Sequence, residues 1–316
     1  MKIKETRTTV KDSPISLKDN LWKNRYLLLL LLPGILYFVI FKYIPMFGLT
    51  IAFQDYSLRD GFLGSPWVGL KHFSTLFSGT DFPVVLKNTI YISFLKVIFG
   101  FPAPIILALM LNELRNGPFK KLSQTISYIP HFFSWVVMAG MIKALLSPST
   151  GLVNMIIQAL GNKPIYFLAD PEYFIGVLVT TDIWKEIGWD SVIYLAALSG
   201  INYEMHEAAI IDGASKLKRI FYINIPSILP TVATMLILRM GYILDAGFDQ
   251  IFNLYNTAVY EVSDIIDTFT YRKGISNFQY SFSTAAGMFK SVVSLVLVVV
   301  VNKITKKLTD GETSIF

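Results

Sequence analysis

The sequence predicts an all-α integral membrane protein with six transmembrane helices and both chain termini in the cytoplasm. Of its 316 residues, 53% are hydrophobic and only 16% are charged, whereas a typical soluble domain has about 25% charged residues. The mean hydropathy is +0.52, and the apolar residues form long blocks. The placement of lysine and arginine is the third observation, and it sets the orientation. Together these features exclude an ordinary soluble enzyme.

Six blocks are long and apolar enough to cross a bilayer as helices, which takes about 20 residues each. Their approximate bounds are Tyr26–Phe47, Leu86–Leu111, Ser123–Leu146, Tyr173–Leu198, Pro226–Phe248 and Phe282–Val301. The first block is not expected to be a cleavable signal peptide. A polar stretch of 25 residues precedes it, and no small-residue cleavage site ends it.

Basic residues indicate which ends of these helices face the cytoplasm, because cytoplasmic loops are enriched in lysine and arginine. Sixteen basic residues lie in the N-terminal tail, in loops 112–122 and 199–225, and in the C-terminal tail. The alternate loops carry only five. Both termini are therefore predicted to be cytoplasmic. This asymmetry also accounts for the net charge of +6, and no nucleic-acid partner is expected.

The chain divides into three segments: a cytoplasmic tail (1–25), the six-span transmembrane domain (26–308) and a C-terminal tail (309–316). In the first tail, Leu17, Leu21 and Trp22 share a side, which predicts a short interfacial helix. The long external loops 54–85 and 249–281 are rich in glycine, aromatic and acidic residues. Neither loop is predicted to form a folded domain of its own.

The sequence contains no catalytic constellation. It has no cysteine, which excludes disulfides, thiolate metal sites and a cysteine nucleophile. It has no G-x-x-x-x-G-K-[ST] phosphate-binding loop, so the chain is not expected to hydrolyse ATP by itself. His72, His131 and His206 lie far apart without metal-binding spacing, and no G-x-S-x-G elbow is present. We expect a non-catalytic chain that binds no metal or cofactor.

The cytoplasmic segment between the fourth and fifth spans has the most informative local pattern. Residues 203–212 favour a short amphipathic helix, Gly213 suits a left-handed helix end, and Pro226 opens the next span. Glu207 can present a carboxylate to a basic partner, and the two alanines after it let a partner surface approach the backbone closely. On spacing alone, an ordinary inter-helix loop explains the pattern equally well.

The residues from Glu207 to Pro226 read EAA-x3-G-x9-I-x-I-P. This resembles the EAA-x3-G-x9-I-x-L-P signature of the membrane subunits of binding-protein-dependent ABC importers, with Ile225 where leucine is usual. Four flanking segments are also similar: GFPAPIILALMLNEL (100–114), SYIPHFFSWVVMAGM (127–141), LLSPSTGLVN (145–154) and EAAIIDGASKLKRI (207–220). From about Lys23 to Leu308 the chain resembles the carbohydrate-importer permease family, in the branch that handles complex or acidic polysaccharide fragments.

The resemblance implies a type I ABC importer permease fold in the bacterial cytoplasmic (inner) membrane. It also implies a second homologous permease, two ATP-binding subunits that hold ATP and magnesium, and an extracytoplasmic binding protein that delivers an oligosaccharide. The helix at about 203–215 would insert into an ATPase groove and couple ATP hydrolysis to transport. Its coupling residues would be Glu207, Ala208, Ala209, Asp212 and Gly213.

Ionisable residues recur inside the predicted spans, where they are costly and usually face a cavity or each other. On the fourth span, Asp182, Glu186 and Asp190 are spaced i, i+4, i+8 and share a face. One side of the fifth span is predicted to carry Arg239, Tyr242, Asp245 and Asp249. Such polar and aromatic groups suit a sugar. The alternative is a bundle-bracing ion pair, for example Asp182 or Glu186 with Arg239.

Similarity to the maltose permeases of this family places six residues at sugar-contacting positions: His131, Trp135, Asp182, Glu186, Trp189 and Tyr242. The residue identities depart from those of maltose permeases, so the location carries over and maltose itself does not. Arg239 joins these candidates from the fifth span. Lys96 and Lys290 also lie within spans, where each could neutralise the acidic stripe, bind an anionic sugar or snorkel.

Two other function classes compete with an importer subunit. Carboxylates at membrane depth are also found in stand-alone ion-coupled secondary transporters. The coupling motif and the absence of an internal repeat argue against that class. A membrane-embedded enzyme is the second alternative, and the missing catalytic constellation argues against it.

Overall fold

A computed structural model describes residues 22–308, and these residues are almost entirely helical. They contain no β-strand, only an isolated antiparallel bridge between Gln54 and Trp67. The α-helices of eight or more residues are α1 (Arg25–Phe38), α2 (Lys71–Ser78), α3 (Asp81–Leu95), α4 (Pro102–Glu113), α5 (Pro118–Tyr128), α6 (Trp135–Leu146), α7 (Leu152–Ala159), α8 (Pro171–Ser199), α9 (Tyr203–Ile211), α10 (Ile225–Gly241) and α11 (Tyr280–Leu308).

Shorter helical segments connect or extend these helices. The short α-helices are Gly61–Gly64, Lys216–Arg219, Phe248–Leu254, Tyr260–Ser263 and Ile266–Tyr271. The π-helical segments are Val39–Tyr43, Lys96–Gly100, Ile220–Asn224 and Arg272–Ser276. The 3-10 segments are Ile44–Phe53, Ile129–Phe132, Ile243–Asp245 and Thr257–Val259. Each π segment continues an α-helix, so α3 runs without a break through Lys96–Gly100 towards α4.

The chain divides between Ile51 and Ala52 into two compact units. The first unit contains α1, and none of the residues of α1 is buried within the chain. A lipid-facing helix has this character, because its apolar side chains meet acyl chains rather than a protein core.

The second unit is built around α8, whose buried residues belong to two of its three hydrophobic clusters. One cluster joins Phe174 and Leu178 of α8 to Met138 of α6 and to Ile251. Another joins Tyr194 and Leu198 to residues of α4 and α10. The third cluster packs α2, α3 and α11 together around Phe269. The helix α8 therefore packs against α4, α6 and α10, and its polar residues lie close to several other elements.

Four helical stretches within residues 22–308 are long and apolar enough to span a membrane. They are Arg25–Phe53, Asp81–Glu113, Lys216–Gly241 and Tyr280–Ile304. They contain the first, second and sixth predicted spans and most of the fifth. The fourth predicted span is the single 29-residue helix α8, which is long enough to cross but carries charged residues along its middle.

The third predicted span is not one straight helix. The stretch Pro118–Phe132 and the helix α6 meet at an angle of 109°. Pro130 lies in the 3-10 turn that ends the first part, and proline cannot donate a backbone hydrogen bond. Ser134 then begins α6 as its N-cap, with its hydroxyl accepting a hydrogen bond from the Val137 amide. The two parts together are apolar enough for one span, so a hydropathy profile does not reveal the bend.

The fifth predicted span, Pro226–Phe248, also ends earlier than expected. The helix α10 stops at Gly241, and the turn at 242–247 separates it from the helix Phe248–Leu254. Ala246 and Gly247 in this turn have left-handed backbone angles, with φ of 46° and 89°. The prediction that Arg239, Tyr242, Asp245 and Asp249 share one side of a continuous helix is therefore wrong. The α-helical backbone angles end at Tyr242, which has a φ of −112° and a ψ of 12°. The left-handed angles at Ala246 and Gly247 then keep the 3-10 turn from continuing into the helix Phe248–Leu254.

The segment after α8 folds largely as the sequence predicts. The helix α9 spans Tyr203–Ile211, and Gly213 follows with a left-handed φ of 74°. Pro226 lies in the first turn of α10. The expected amphipathic character is wrong, because the apolar side chains of α9 point in all directions and none of its residues is buried. The predicted interfacial helix around Leu17 and Leu21 lies outside the described residues, as does the tail 309–316.

Candidate functional site

A cavity of about 340 Å³ opens between α8, the π-helical end of α3 and the turn that follows α10. Its lining residues are Ser93, Lys96, Val97, Asp182, Glu186, Arg239, Tyr242, Ile243, Asp245, Ala246 and Gly247. Four of the predicted sugar-contacting residues are among them. The break in the fifth predicted span contributes backbone to the cavity wall, which a continuous helix would not do.

Among the charged residues that line this cavity, Asp182 lies next to two cations. Its Oδ1 accepts a hydrogen bond from Lys96 Nζ at 3.0 Å, and its Oδ2 lies 3.7 Å from Arg239 Nη2. The Lys96 side chain is 6% exposed and that of Arg239 is 37% exposed. The carboxylate therefore has a buried lysine on one side and a cavity-facing arginine on the other.

Uncharged polar groups also hold the Lys96 side chain in place. Lys96 Nζ donates to Gln250 Oε1 at 2.5 Å. Gln250 is fully buried, and its amide nitrogen donates to the Leu178 carbonyl and to Thr181 Oγ1, both at 2.8 Å. Because these two bonds occupy the amide nitrogen, the Gln250 oxygen must face the lysine. The ammonium is thus fixed in place by groups from two other parts of the chain.

Glu186 is held by a second set of contacts one turn further along α8. Its carboxylate pairs with His131 Nδ1 at 2.6 Å and with Lys185 Nζ at 2.9 Å. Lys185 also donates to the His131 carbonyl at 2.9 Å. Gly188 permits this approach, because a Cβ there would overlap the carbonyl of Ser127 at the end of α5. The sequence placed His131 and Glu186 at one site, and the structure brings them into contact.

Aromatic side chains cover the same end of the site. The His131 ring stacks on Trp189 with centroids 4.6 Å apart and planes 4° from parallel. Phe132 meets Trp189 edge-on at 5.6 Å. Lys185 Nζ lies 5.6 Å from the centre of the Trp135 ring, which ties that residue to the cluster. Trp189 is 46% exposed and so offers a ring face to a ligand.

Arg239 and Tyr242 also line a second cavity of about 190 Å³. Asp190 and Tyr194 of α8 lie in its wall. Because both cavities share Arg239 and Tyr242, they adjoin each other along α8 from Asp182 to Asp190. Tyr242 is 71% exposed at this junction.

Lys290 makes a third cluster, in which its pairing with Asp267 was not predicted. Its Nζ lies 2.5 Å from Asp245 Oδ1 in the turn after α10 and 2.7 Å from Asp267 Oδ2 in the helix Ile266–Tyr271. Burial raises the pKa of the Asp267 carboxyl against the opposing effect of this ammonium. Lys96 and Lys290 thus both neutralise carboxylates, which is one of the roles predicted for them. Gln250 was also missed, because a glutamine beyond the predicted span carries no local signal.

The predicted coupling residues are set apart from this cavity in the sequence and form an exposed surface. Glu207, Ala208, Asp212 and Gly213 are exposed, and Ala209 is half-buried. Gly213 allows the chain to turn sharply after α9, and Ser215 caps the next short helix through the Lys218 amide. The helix α9 contains no buried residue.

Comparison with known proteins places the chain among importer membrane subunits. Residues 100–310 match the family model for binding-protein-dependent transport system inner membrane components. The chain is 44% identical over 293 residues to Protein LplB of Bacillus subtilis (strain 168), covering 93% of this chain and 92% of that protein. It is 42% identical over 323 residues to the polygalacturonan/rhamnogalacturonan transport system permease protein YteP of the same organism, covering all of both chains.

The fold is similar to a solved importer. A chain in the crystal structure of a bacterial ABC transporter involved in the import of the acidic polysaccharide alginate superposes with a TM-score of 0.86. Sequence identity is 43%, and the match covers 93% of this chain and 99% of that one. A second structure of a bacterial alginate ABC transporter, in complex with alginate pentasaccharide-bound periplasmic protein, matches equally well at 42% identity.

Proposed function

The chain belongs to the family of binding-protein-dependent transport system inner membrane components, and on that premise we propose that it forms half of the translocation path for an acidic oligosaccharide. As a family member it is a multi-pass membrane permease of an ABC importer. What remains to be assigned is the path within this chain, the chemistry of the substrate and the surface that couples it to ATP hydrolysis.

The observation that carries the proposal is the pair of adjoining cavities along α8, which are lined by Asp182, Glu186, Arg239 and Tyr242. The partly exposed Trp189 lies beside them, stacked on the His131 ring that bonds to Glu186. Aromatic rings stack on the apolar faces of sugars, while charged and polar groups bond to hydroxyls. The two adjoining cavities run along successive turns of one helix, so they suit an extended chain of sugar units.

An acidic substrate is favoured by Arg239. Its guanidinium faces both cavities, and its distance of 3.7 Å from Asp182 leaves its donors available. A guanidinium binds a carboxylate with two parallel hydrogen bonds, which an uncharged sugar cannot match. The names of the relatives support the same chemistry, since they refer to polygalacturonan and to alginate.

Coupling to ATP hydrolysis is assigned to α9 and the turn after it. An exposed helix with apolar side chains on every side, among them Ile210 and Ile211, is unfavourable in water and suits a protein partner. We assign that partner as one of two ATP-binding subunits, which bind ATP and magnesium themselves. A second homologous permease and an extracytoplasmic binding protein complete the assembly.

The proposed topology has six spans with both termini in the cytoplasm. The four apolar stretches, the bent pair around Ser134 and the helix α8 supply the six. The polar side of α8 then faces the cavity rather than lipid, which makes its charges tolerable at membrane depth. The segment 203–215 lies on the same side as both termini in this arrangement.

Reconstitution tests the proposal. The chain is purified alone, and also with its partner permease, ATPase subunits and binding protein in proteoliposomes. We expect ATP hydrolysis and uptake of alginate or polygalacturonate oligosaccharides only in the complete assembly. Robust ATP hydrolysis by the single chain, or ion-driven uptake by it in vesicles without ATP, would contradict the proposal. The second result would favour a stand-alone secondary transporter.

A further inference from the structure

Each carboxylate that lines the larger cavity has a lysine as a close partner. Lys96 bonds to Asp182, Lys185 bonds to Glu186, and Lys290 bonds to Asp245. Arg239 is the other cation that lines the cavity besides Lys96. Among the described residues it makes no hydrogen bond to a carboxylate, and Asp182 at 3.7 Å is its ion-pair partner.

Whether Asp182 pairs with Lys96 or with Arg239 determines whether the Arg239 guanidinium is available to bind a ligand. Asp182 lies between the two cations, and the lysine is the closer one. If the carboxylate were not already bonded to Lys96, it would attract the guanidinium into a bidentate pair. That pair would use the same donors that a substrate carboxylate needs.

Several specific contacts fix the position of the Lys96 side chain. Its side chain is 6% exposed, and the fully buried Gln250 supplies a second acceptor. Gly247 leaves the space that the ammonium occupies, because a Cβ at this position would come within 2.5 Å of Lys96 Nζ. Burying a lysine is expensive unless acceptors surround it. The contacts are therefore consistent with a specific task for this charge.

We propose that Lys96 is a positioning residue for substrate selection: it neutralises Asp182 and so keeps the Arg239 guanidinium free to bind a carboxylate of the oligosaccharide. Lys96 itself does not touch the sugar. This inference rests on the proposed function, since it assumes that the cavity is the path of an acidic oligosaccharide. It goes further by assigning the charge preference to a competition between two cations for one aspartate.

The proposal makes Lys96 act only through Arg239, which gives it a distinctive pattern of variants. In Lys96→Met, Asp182 should capture Arg239, and uptake of acidic oligosaccharide should fall roughly 10- to 100-fold, the range for a lost charge-assisted hydrogen bond. Arg239→Gln should cause a loss of similar size. The double variant Lys96→Met/Arg239→Gln should be no worse than Arg239→Gln alone, because the two changes remove the same interaction.

The decisive variant is Lys96→Met/Asp182→Asn. It removes the lysine together with the carboxylate that would capture Arg239, so uptake should recover about tenfold relative to Lys96→Met. Lys96→Gln is the smaller change if the methionine disturbs assembly. The matched control is Lys273→Met, which breaks an ion pair to Asp81 outside the cavity and should leave uptake unchanged.

The experiment measures uptake of alginate and polygalacturonate pentasaccharides by the complete importer in proteoliposomes, with assembly checked by size-exclusion chromatography. Recovery in the Asp182→Asn double variant supports the proposal. A double variant that assembles but stays as impaired as Lys96→Met, or additive losses with Arg239→Gln, overturns it and leaves Lys96 a structural partner. Failure of the wild-type importer to take up either sugar would instead contradict the proposed function.

Discussion

The cavity along α8 and the segment 203–215 differ in where their functional side chains find partners. In the cavity, Asp182 and Glu186 are bonded to cations of the same chain. In the segment, α9 contains no buried residue, and Glu207 and the turn at Gly213 are exposed. One region is already organised within this chain, and the other leaves its side chains exposed in the described part of the chain.

Because of this difference, variants in the two regions should impair transport in two different ways. A preorganised site selects its ligand through contacts that are fixed before binding, so changes there should alter which sugar is taken up. An exposed helix stabilises little within its own chain, so changes there should act on the partner that binds it. Variants in the two regions should therefore fail in different assays.

The largest effect is expected from Gly213→Pro. Gly213 has a φ of 74°, whereas proline fixes φ near about −65°, so the turn after α9 cannot form. Transport by the complete importer should be lost while membrane insertion is retained. Gly161→Pro is the control, because Gly161 has a similar φ of 84° in a different loop and should still allow transport. Wild-type uptake in Gly213→Pro would show that this turn is not the coupling element.

Glu207→Lys should also uncouple transport from ATP hydrolysis. Glu207 is exposed on α9, and reversing its charge places a cation against the basic groove proposed for the ATPase subunit. Because the change is exposed, it should leave the stability of the chain nearly unaltered. The check is uptake per ATP hydrolysed, with Glu204→Lys as a control on the same helix. An equal loss in both variants would indicate a general charge effect.

Changes along α8 should have the next largest effect, and they should act on substrate. Glu186→Ala and Trp189→Ala each remove one contact with the sugar, and Asp182→Ala leaves the buried Lys96 ammonium without its carboxylate. Each change should cost about 1–3 kcal/mol, or roughly 5- to 150-fold in uptake. Glu186→Ala also releases His131 and Lys185, which makes it the most damaging of the three. Uptake assays on assembled complexes measure the loss. Failure to assemble would favour the alternative that these charges only brace the bundle.

The smallest effect is expected at Tyr242. Its ring is 71% exposed at the junction of the two cavities, so it contributes stacking area and little to folding. Tyr242→Ala should lower uptake by roughly 2- to 10-fold, and Tyr242→Phe should retain most of the activity, because the ring rather than the hydroxyl stacks on the sugar. Equal losses in both variants would assign the contribution to the hydroxyl instead.

The sequence predicted those features that depend on neighbours along the chain. The apolar blocks identified the helices, and the i, i+4 spacing placed Asp182 and Glu186 on one face of α8. The end of α9 at Gly213 was equally local, because a left-handed residue after a helix favours glycine. The site residues proposed from similarity also cluster, with His131 against Trp189 and Glu186.

What could not be predicted depends on residues far apart in the chain. Lys96 bonds to Asp182 and Gln250, which are 86 and 154 positions away. No local pattern links a lysine in one helix to a glutamine in another. The break at 242–247 was missed for a different reason. The residue type does not predict the left-handed angle at Ala246, because Ala246 is held in a cluster with residues distant in the sequence.

The ratio of substrate-stimulated to basal ATP hydrolysis in assembled complexes decides whether the substrate path runs along α8. We expect Asp182→Ala, Glu186→Ala and Trp189→Ala to lower this ratio while basal hydrolysis survives, because the proposed ATPase contacts lie on α9 rather than in the cavity. Parallel loss of basal and stimulated hydrolysis would indicate a bracing role for these residues. An unchanged ratio in all three variants would move the substrate path away from α8.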